Sequence, residues 1–155
     1  AEEKKLVILA RFVPELDGIQ ELLKRKQIGY ASVRGGVSNR AEEIRRFQED
    51  ADCCVFVGQI AAAGLGITLT AASTMVFYSL DYSMSNFEQA KARIHRVSQT
   101  ENCLYIYLTA KHTVDTKILR ALRDKADLAK MLVDDYRNGS NPFQEGVWNA
   151  NTEHV

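Results

Sequence analysis

Between Gln89 and Gln99 the chain reads QAKARIHRVSQ, which places Arg93, His95 and Arg96 within four residues, between two carboxamides. A guanidinium is always charged and offers a planar fork of N–H donors, the geometry that suits a phosphate or carboxylate. Read as a helix at about 100° per residue, the stretch brings Gln89, Arg93 and Arg96 within about 60° of one another. Ala90, Ile94 and Val97 form the neighbouring apolar stripe. The stretch is then either a rim for gripping an anion or a solvated basic face. His95 falls on another side of that helix, which favours packing or hydrogen bonding over catalysis.

A second stretch with chemical potential is AAAGLGITLTAAS, Ala61–Ser73. Gly64 and Gly66 let backbone approach a ligand closely, and backbone N–H groups there can face an anion. The competing reading is a tight turn with small packing residues. A dinucleotide fingerprint is not completed, because Leu69 stands where its third glycine belongs. The Thr68 and Thr70 hydroxyls could meet a nucleic-acid backbone or cap the turn. Arg40 is a further phosphate candidate, whereas Arg45 and Arg46 read more simply as a solvated helix face.

The elements that must position these residues alternate. KLVILA (Lys5–Ala10), GYASVRGG (Gly29–Gly36), CCVFVG (Cys53–Gly58), TMVFYSL (Thr74–Leu80) and CLYIYLTA (Cys103–Ala110) read as strands. Tyr78, Tyr105 and Tyr107 on them read as core. Helical patterns lie between the strands. PELDGIQELLKRK opens on Pro14, with Leu16, Ile19, Leu22 and Leu23 at helical spacing. Ser38–Asp50 has Ser38 as its cap and Ile44 and Phe47 as core positions. Ser85–Val97 has Ser85 as cap and Glu88 three residues on, as in a capping box. A long amphipathic helix ends at Arg137. Strands apolar on both faces and alternating with helices predict an α/β fold, a parallel sheet of about five or more strands with helices on both faces. Residues 1–137 read as one domain and 138–155 as a loosely ordered tail, whose Phe143 and Trp148 could dock back.

Composition bounds the rest. The 155 residues carry 20 Lys and Arg against 20 Asp and Glu, so no global charge draws the chain to nucleic acid or membrane, and anion binding must be local. No apolar run nears the roughly 18 residues that span a bilayer. The start, AEEKKLVILARF, lacks the pattern of a signal peptide. Cys53, Cys54 and Cys103 show no CxxC spacing, so no metal site is expected, and reduced thiols in a cytoplasmic or nuclear protein are.

In combination the two stretches resemble motifs V and VI of the Swi/Snf-type branch of superfamily 2 helicases, whose pattern runs roughly GLGxxLTxA, a strand ending near Asp, then QAxxRxHRxGQ. Gly64, Leu65, Gly66, Leu69, Thr70 and Ala72 hold the first set of places, Asp81 follows the strand, and Gln89, Ala90, Arg93, His95, Arg96 and Gln99 hold the last. KKLVILARF is similar to the family's motif IV strand, and GGVSNRAEEIRRF to a segment in which Arg40, Ile44 and Phe47 keep step. The likeness covers roughly Lys4 to Asp135. Three departures stand out: Ser98 replaces a glycine, Ile60 and Ala61 stand where a hydroxyl is usual, and the loop from Gly36 to Arg40 is short.

The resemblance implies a RecA-like C-terminal lobe. In the family such a lobe faces ATP and Mg²⁺ held on an N-terminal lobe of the same protein, and it contacts DNA. It implies Arg93 and Arg96 as arginine fingers, Gly64, Gly66 and Gln89 near the nucleotide, and Thr68, Thr70 and Arg40 at DNA. Neither G-x-x-x-x-G-K-[ST] nor a DExx sequence after an apolar strand occurs in the 155 residues. The expectation is a second lobe alone, with negligible ATP hydrolysis of its own. The other reading is a RecA-like module that holds DNA or a partner protein without a role in hydrolysis.

Overall fold

A computed structural model describes residues 5–35, 39–61, 66–110 and 113–137, the side chains of 132, 135 and 136 excepted. The expected tail, 138–155, and the cap candidate Ser38 lie outside the described residues.

Five strands, β1 (Lys5–Ala10), β2 (Gly29–Val33), β3 (Cys53–Gln59), β4 (Ala72–Phe77) and β5 (Leu104–Tyr107), form one sheet in the order β2-β3-β1-β4-β5. Every pairing is parallel. Four helices connect or follow them: α1 (Val13–Arg25), α2 (Arg40–Glu49), α3 (Met84–Lys91) and α4 (Val114–Arg137). The continuous apolar run of β1 is explained by its central place, flanked by β3 and β4. Its residues alternate between two cores. Val7 and Leu9 join Phe47, Phe56, Met75 and Phe77 on one face, and Ala10 joins Leu16, Ile19 and Leu23 of α1 on the other.

α1 begins with Pro in its first turn, and the Glu15 carboxylate accepts the Phe12 N–H at 3.1 Å, satisfying a donor the helix leaves open. α2, α3 and α4 share the opposite face of the sheet, contributing Phe47, Phe87 and Ala90, and Ile118 and Leu122. Lys5 Nζ donates to the Phe47 and Asp50 carbonyls at the C-terminal end of α2, fastening that helix to the start of β1.

The edge strand departs from the expectation of strands buried on both sides. Tyr105 and Tyr107 turn inward, half-buried, while Leu104 and Ile106 are exposed on the face that α1 does not reach. Tyr78, expected in the core, lies just past β4 and is exposed. No helix among the described residues is long and apolar enough to cross a membrane.

Candidate functional site

α3 is shorter than the sequence pattern predicts, and its shortness makes the site. It is capped by Ser83, whose Oγ accepts the Asn86 N–H at 3.2 Å, rather than by Ser85. Ser85 Oγ instead accepts from Gln89 Nε2 at 3.1 Å. The helix ends at Lys91, so Arg93, His95 and Arg96 lie beyond it on a run of tight turns. Arg93 N–H reaches the Ala90 carbonyl, Ile94 N–H that of Lys91, and Gln99 N–H that of Arg96.

The carbonyls that would continue the helix are committed elsewhere. Arg93 O accepts Leu69 N–H at 2.9 Å, and Ile94 O accepts from Gln99 Nε2 at 3.2 Å. These bonds occupy the carbonyls that residues 97 and 98 would need, beyond a last i→i+4 bond from His95 N–H to Lys91 O at 3.1 Å. The expected apolar stripe breaks with it: Ala90 and Ile94 are fully buried, but Val97 is fully exposed. His95 is exposed too, which removes packing from the two roles, packing or hydrogen bonding, read for it.

The Gly-rich stretch is described from Gly66 onward; Gly64 lies outside the described residues. Gly66 sits in the left-handed region at φ 72°, with open space where a Cβ would stand, so its requirement is conformational rather than steric. Ile67 and Leu69 are buried and anchor the segment, leaving Thr68 and Thr70 half-buried between them. A turn follows, closed by Ala72 N–H to Leu69 O at 3.1 Å.

Two glutamines hold this turn from different sides. Gln99 Nε2 donates to Thr70 O at 3.2 Å and Ala72 O at 2.9 Å. Gln48, from α2, accepts Ala71 N–H at 2.9 Å and donates to Thr70 Oγ1 at 3.3 Å. The Thr70 oxygen thus serves the turn while its O–H can still donate outward. Arg96 adds Nη2 to Ile67 O at 3.4 Å. The two stretches singled out in the sequence are one hydrogen-bonded unit.

The electrostatics of that unit are unbalanced. Arg93 is half-buried, and its Nε is buried without a hydrogen-bond partner among the described residues. It lines a narrow crevice with Leu9, Val33, Gly58, Gln59 and Ile67, which places it at the C-terminal ends of β1, β2 and β3. Ligands of open parallel sheets bind at that edge. Burial lowers the Arg93 pKa, and the Arg96 charge lowers it further. No carboxylate among the described residues forms an ion pair with either arginine.

The other predicted residues are placed as follows. Arg40 opens α2, half-buried, its Nε likewise buried without a partner among the described residues. Gln89 is exposed on α3. Arg45 and Arg46 are neutralised within α2 by Glu42, Glu49 and Glu43, as their reading as a solvated face required. Sequence reading passed over Gln48. Its signal was present: Ile44, Phe47 and Gln48 share the helical spacing i, i+3, i+4, so a carboxamide occupies a place on the inward stripe. Gln59, whose Oε1 faces Gly35 N–H at 3.5 Å, carried no such mark.

Comparison with known proteins supplies the lineage. The profile of the helicase conserved C-terminal domain matches residues 1–98. A Drosophila melanogaster SWI/SNF-related matrix-associated actin-dependent regulator of chromatin, subfamily A-like protein 1, is 33% identical over 129 residues, 82% of this chain and 17% of that protein. The human SWI/SNF-related regulator of subfamily A containing DEAD/H box 1 is 34% identical over 142 residues, 89% of this chain and 14% of that protein. The Drosophila chromatin-remodeling ATPase INO80 is 31% identical over 135 residues, 86% of this chain and 8% of its own length. The chain thus spans less than a fifth of the length of each of these relatives. The crystal structure of the C-terminal part of the Fun30 ATPase domain overlays 77% of the chain with a TM-score of 0.73 and 26% identity; the overlay covers 39% of that structure. The parallel RecA-like sheet, the paired motif stretches and these likenesses agree: the chain belongs to the helicase conserved C-terminal domain family, in its Swi/Snf-related branch.

Proposed function

We propose that this chain is the second motor lobe of an ATP-dependent DNA helicase or translocase, presenting Arg93 and Arg96 to ATP held on a first lobe of the same parent protein. One observation carries the reading: the partly desolvated Arg93 guanidinium lies at the C-terminal ends of the strands, with the Arg96 charge near it and the Arg96 fork bonded to the Ile67 carbonyl, and neither has a counter-charge among the described residues. Such an arrangement costs stability and is retained where an anion completes it. A polyphosphate fits, because its oxygens supply the negative charge that the pair lacks and an acceptor for the Arg93 fork.

Arginines so placed stabilise charge that develops on the transferring phosphoryl group. ATP supplies that group, with Mg²⁺ to neutralise its phosphates. No cluster of three or more His, Cys, Asp or Glu that could hold a metal occurs among the described residues, and the ion is assigned to the first lobe. Gln89, Gly64 and Gly66 are assigned to the nucleotide side. Thr68, Thr70 and Arg40 are assigned to the DNA backbone, where the orphaned Arg40 Nε supports a phosphate contact. The compartment is assigned to the reducing interior of the cell, cytoplasm or nucleus.

The test is Arg93→Ala and Arg96→Ala in a parent chain carrying both lobes. Each is expected to lower kcat for ATP hydrolysis by about 10³ while ATP affinity stays within a few-fold. Undiminished hydrolysis, together with weaker DNA binding and a shallower salt slope, would favour a DNA-holding module instead.

A further inference from the structure

Gln48 stands at one end of α2 and Arg40 at the other, eight residues or about 12 Å apart along the axis. The Gln48 carboxamide uses both of its ends on the neighbouring turn, Oε1 taking the Ala71 N–H and Nε2 reaching Thr70 Oγ1. One residue earlier, Leu69 N–H is bonded to the Arg93 carbonyl. From Arg40 to Arg93 the connection therefore runs through one rigid helix, one carboxamide and one closed turn. Phe47, fully buried beside Gln48, keeps the helix from rolling. Gln48 is half-buried, and its hydrogen bonds among the described residues go to the turn and to neither arginine, so its action on them runs through the turn.

We propose that Gln48 is a positioning residue that couples the Arg40 end of α2 to the arginine-bearing turn, so that DNA engaged by α2 sets the placement of Arg93. This rests on the motor reading above. The bond pattern favours it over a plain turn cap. A cap needs only one of the two bonds, and Gln99 already binds the carbonyls of the same turn from another element. A carboxamide that accepts and donates at once fixes the turn against sliding along the helix.

The experiment uses the two-lobed parent chain with Gln48→Leu, which keeps the volume and removes both bonds, and Gln48→Glu, which keeps an acceptor for Ala71 N–H and can take the Thr70 O–H. Two quantities are read: amide hydrogen exchange at Leu69, whose N–H never touches Gln48, and kcat and KM for ATP with and without saturating duplex DNA. Gln48→Leu is expected to speed Leu69 exchange by about tenfold. It should lower the DNA-stimulated kcat by about tenfold, several-fold more than it lowers the DNA-free rate, with KM for ATP within about twofold. Gln48→Glu should recover most of both. Faster exchange confined to Ala71, or equal loss of the stimulated and unstimulated rates, overturns the coupling. Arg93→Ala is run alongside. Wild-type turnover in that variant overturns the motor reading. An inactive Arg93→Ala with Leu69 exchange unmoved in Gln48→Leu overturns the coupling alone.

Discussion

The outward face of α2 and the turn after α3 are both rich in arginine, and they resolve their charge in opposite ways. On α2, Arg45 meets Glu42 at 2.7 Å and Glu49 at 3.1 Å, and Arg46 meets Glu43 at 3.3 Å. The hydrogen bond from Arg45 holds the Glu42 carboxyl below its ordinary range, and the same bond raises the Arg45 pKa. Arg93 moves the other way: burial lowers its pKa, and Arg96 lowers it further. Both regions belong to a chain of zero net charge. Balance over the whole chain therefore says little about any one site. What matters is whether the compensating carboxylates lie within a helical turn. On α2 they stand three and four residues away; around Arg93 the residues from Gln89 to Val97 include no carboxylate and add the cations Lys91 and Arg96.

If the turn after α3 is a built site, its anchor should matter more than any residue on the face of α2. Ile94 is fully buried between the two arginines in the main core. Ile94→Ala is expected to destabilise the domain by about 2–5 kcal/mol, the range for emptying a well-packed aliphatic site. Urea unfolding would measure it. A loss no larger than that of a surface change would mean the arginines ride on a loop rather than on a seated turn.

A smaller effect is expected at Gly66, whose φ of 72° an L side chain adopts poorly. Gly66→Ala should cost about 1–2 kcal/mol, the ordinary left-handed penalty, with no added steric term because nothing among the described residues stands within 4 Å of the new Cβ. A neutral outcome would show that the segment relaxes freely, and that its bonds to Arg93 and Gln99 do not hold its shape.

The same contrast explains what could be read in advance. All five strands were legible as short runs holding β-branched or aromatic residues, and the runs are continuously apolar in β1 and β3, which lie inside the sheet. The pairing of Arg45 and Arg46 was legible because its partners are local. The end of α3 was not. Nothing in the composition from Ala92 to Val97 opposes helix; i→i+3 bonds replace the ladder at Arg93 and Ile94, and Leu69 N–H and the Gln99 carboxamide then claim the Arg93 and Ile94 carbonyls. Local periodicity cannot register a carbonyl claimed from a distance. Val97 shows the consequence, since the helical phase that buries Ile94 would have buried it as well. The exposure of Tyr78, Leu104 and Ile106 has the same character: their composition reads as strand core, and coverage by a helix is a tertiary matter.

The mildest test lies on α2, and it titrates. Arg45→Ala should leave the melting temperature unchanged at neutral pH, because an exposed pair gains little over its hydrated partners. The ionised Glu42 is the bonded form, and its folded pKa is lowered. Whatever the pair contributes is therefore present above the unfolded carboxylate pKa of about 4.3 and is lost as pH falls through the lowered folded value. In Arg45→Ala the Glu42 carboxyl should titrate at a higher pH than in the parent, toward that ordinary value, followed by its side-chain carbon shift in NMR. Arg93 offers no corresponding acid limb, having no carboxylate partner among the described residues. An unmoved Glu42 titration would mean that the pair seen on α2 does not persist in solution. The difference between a self-neutralised face and an open cationic turn would then rest on the burial of Arg93 alone.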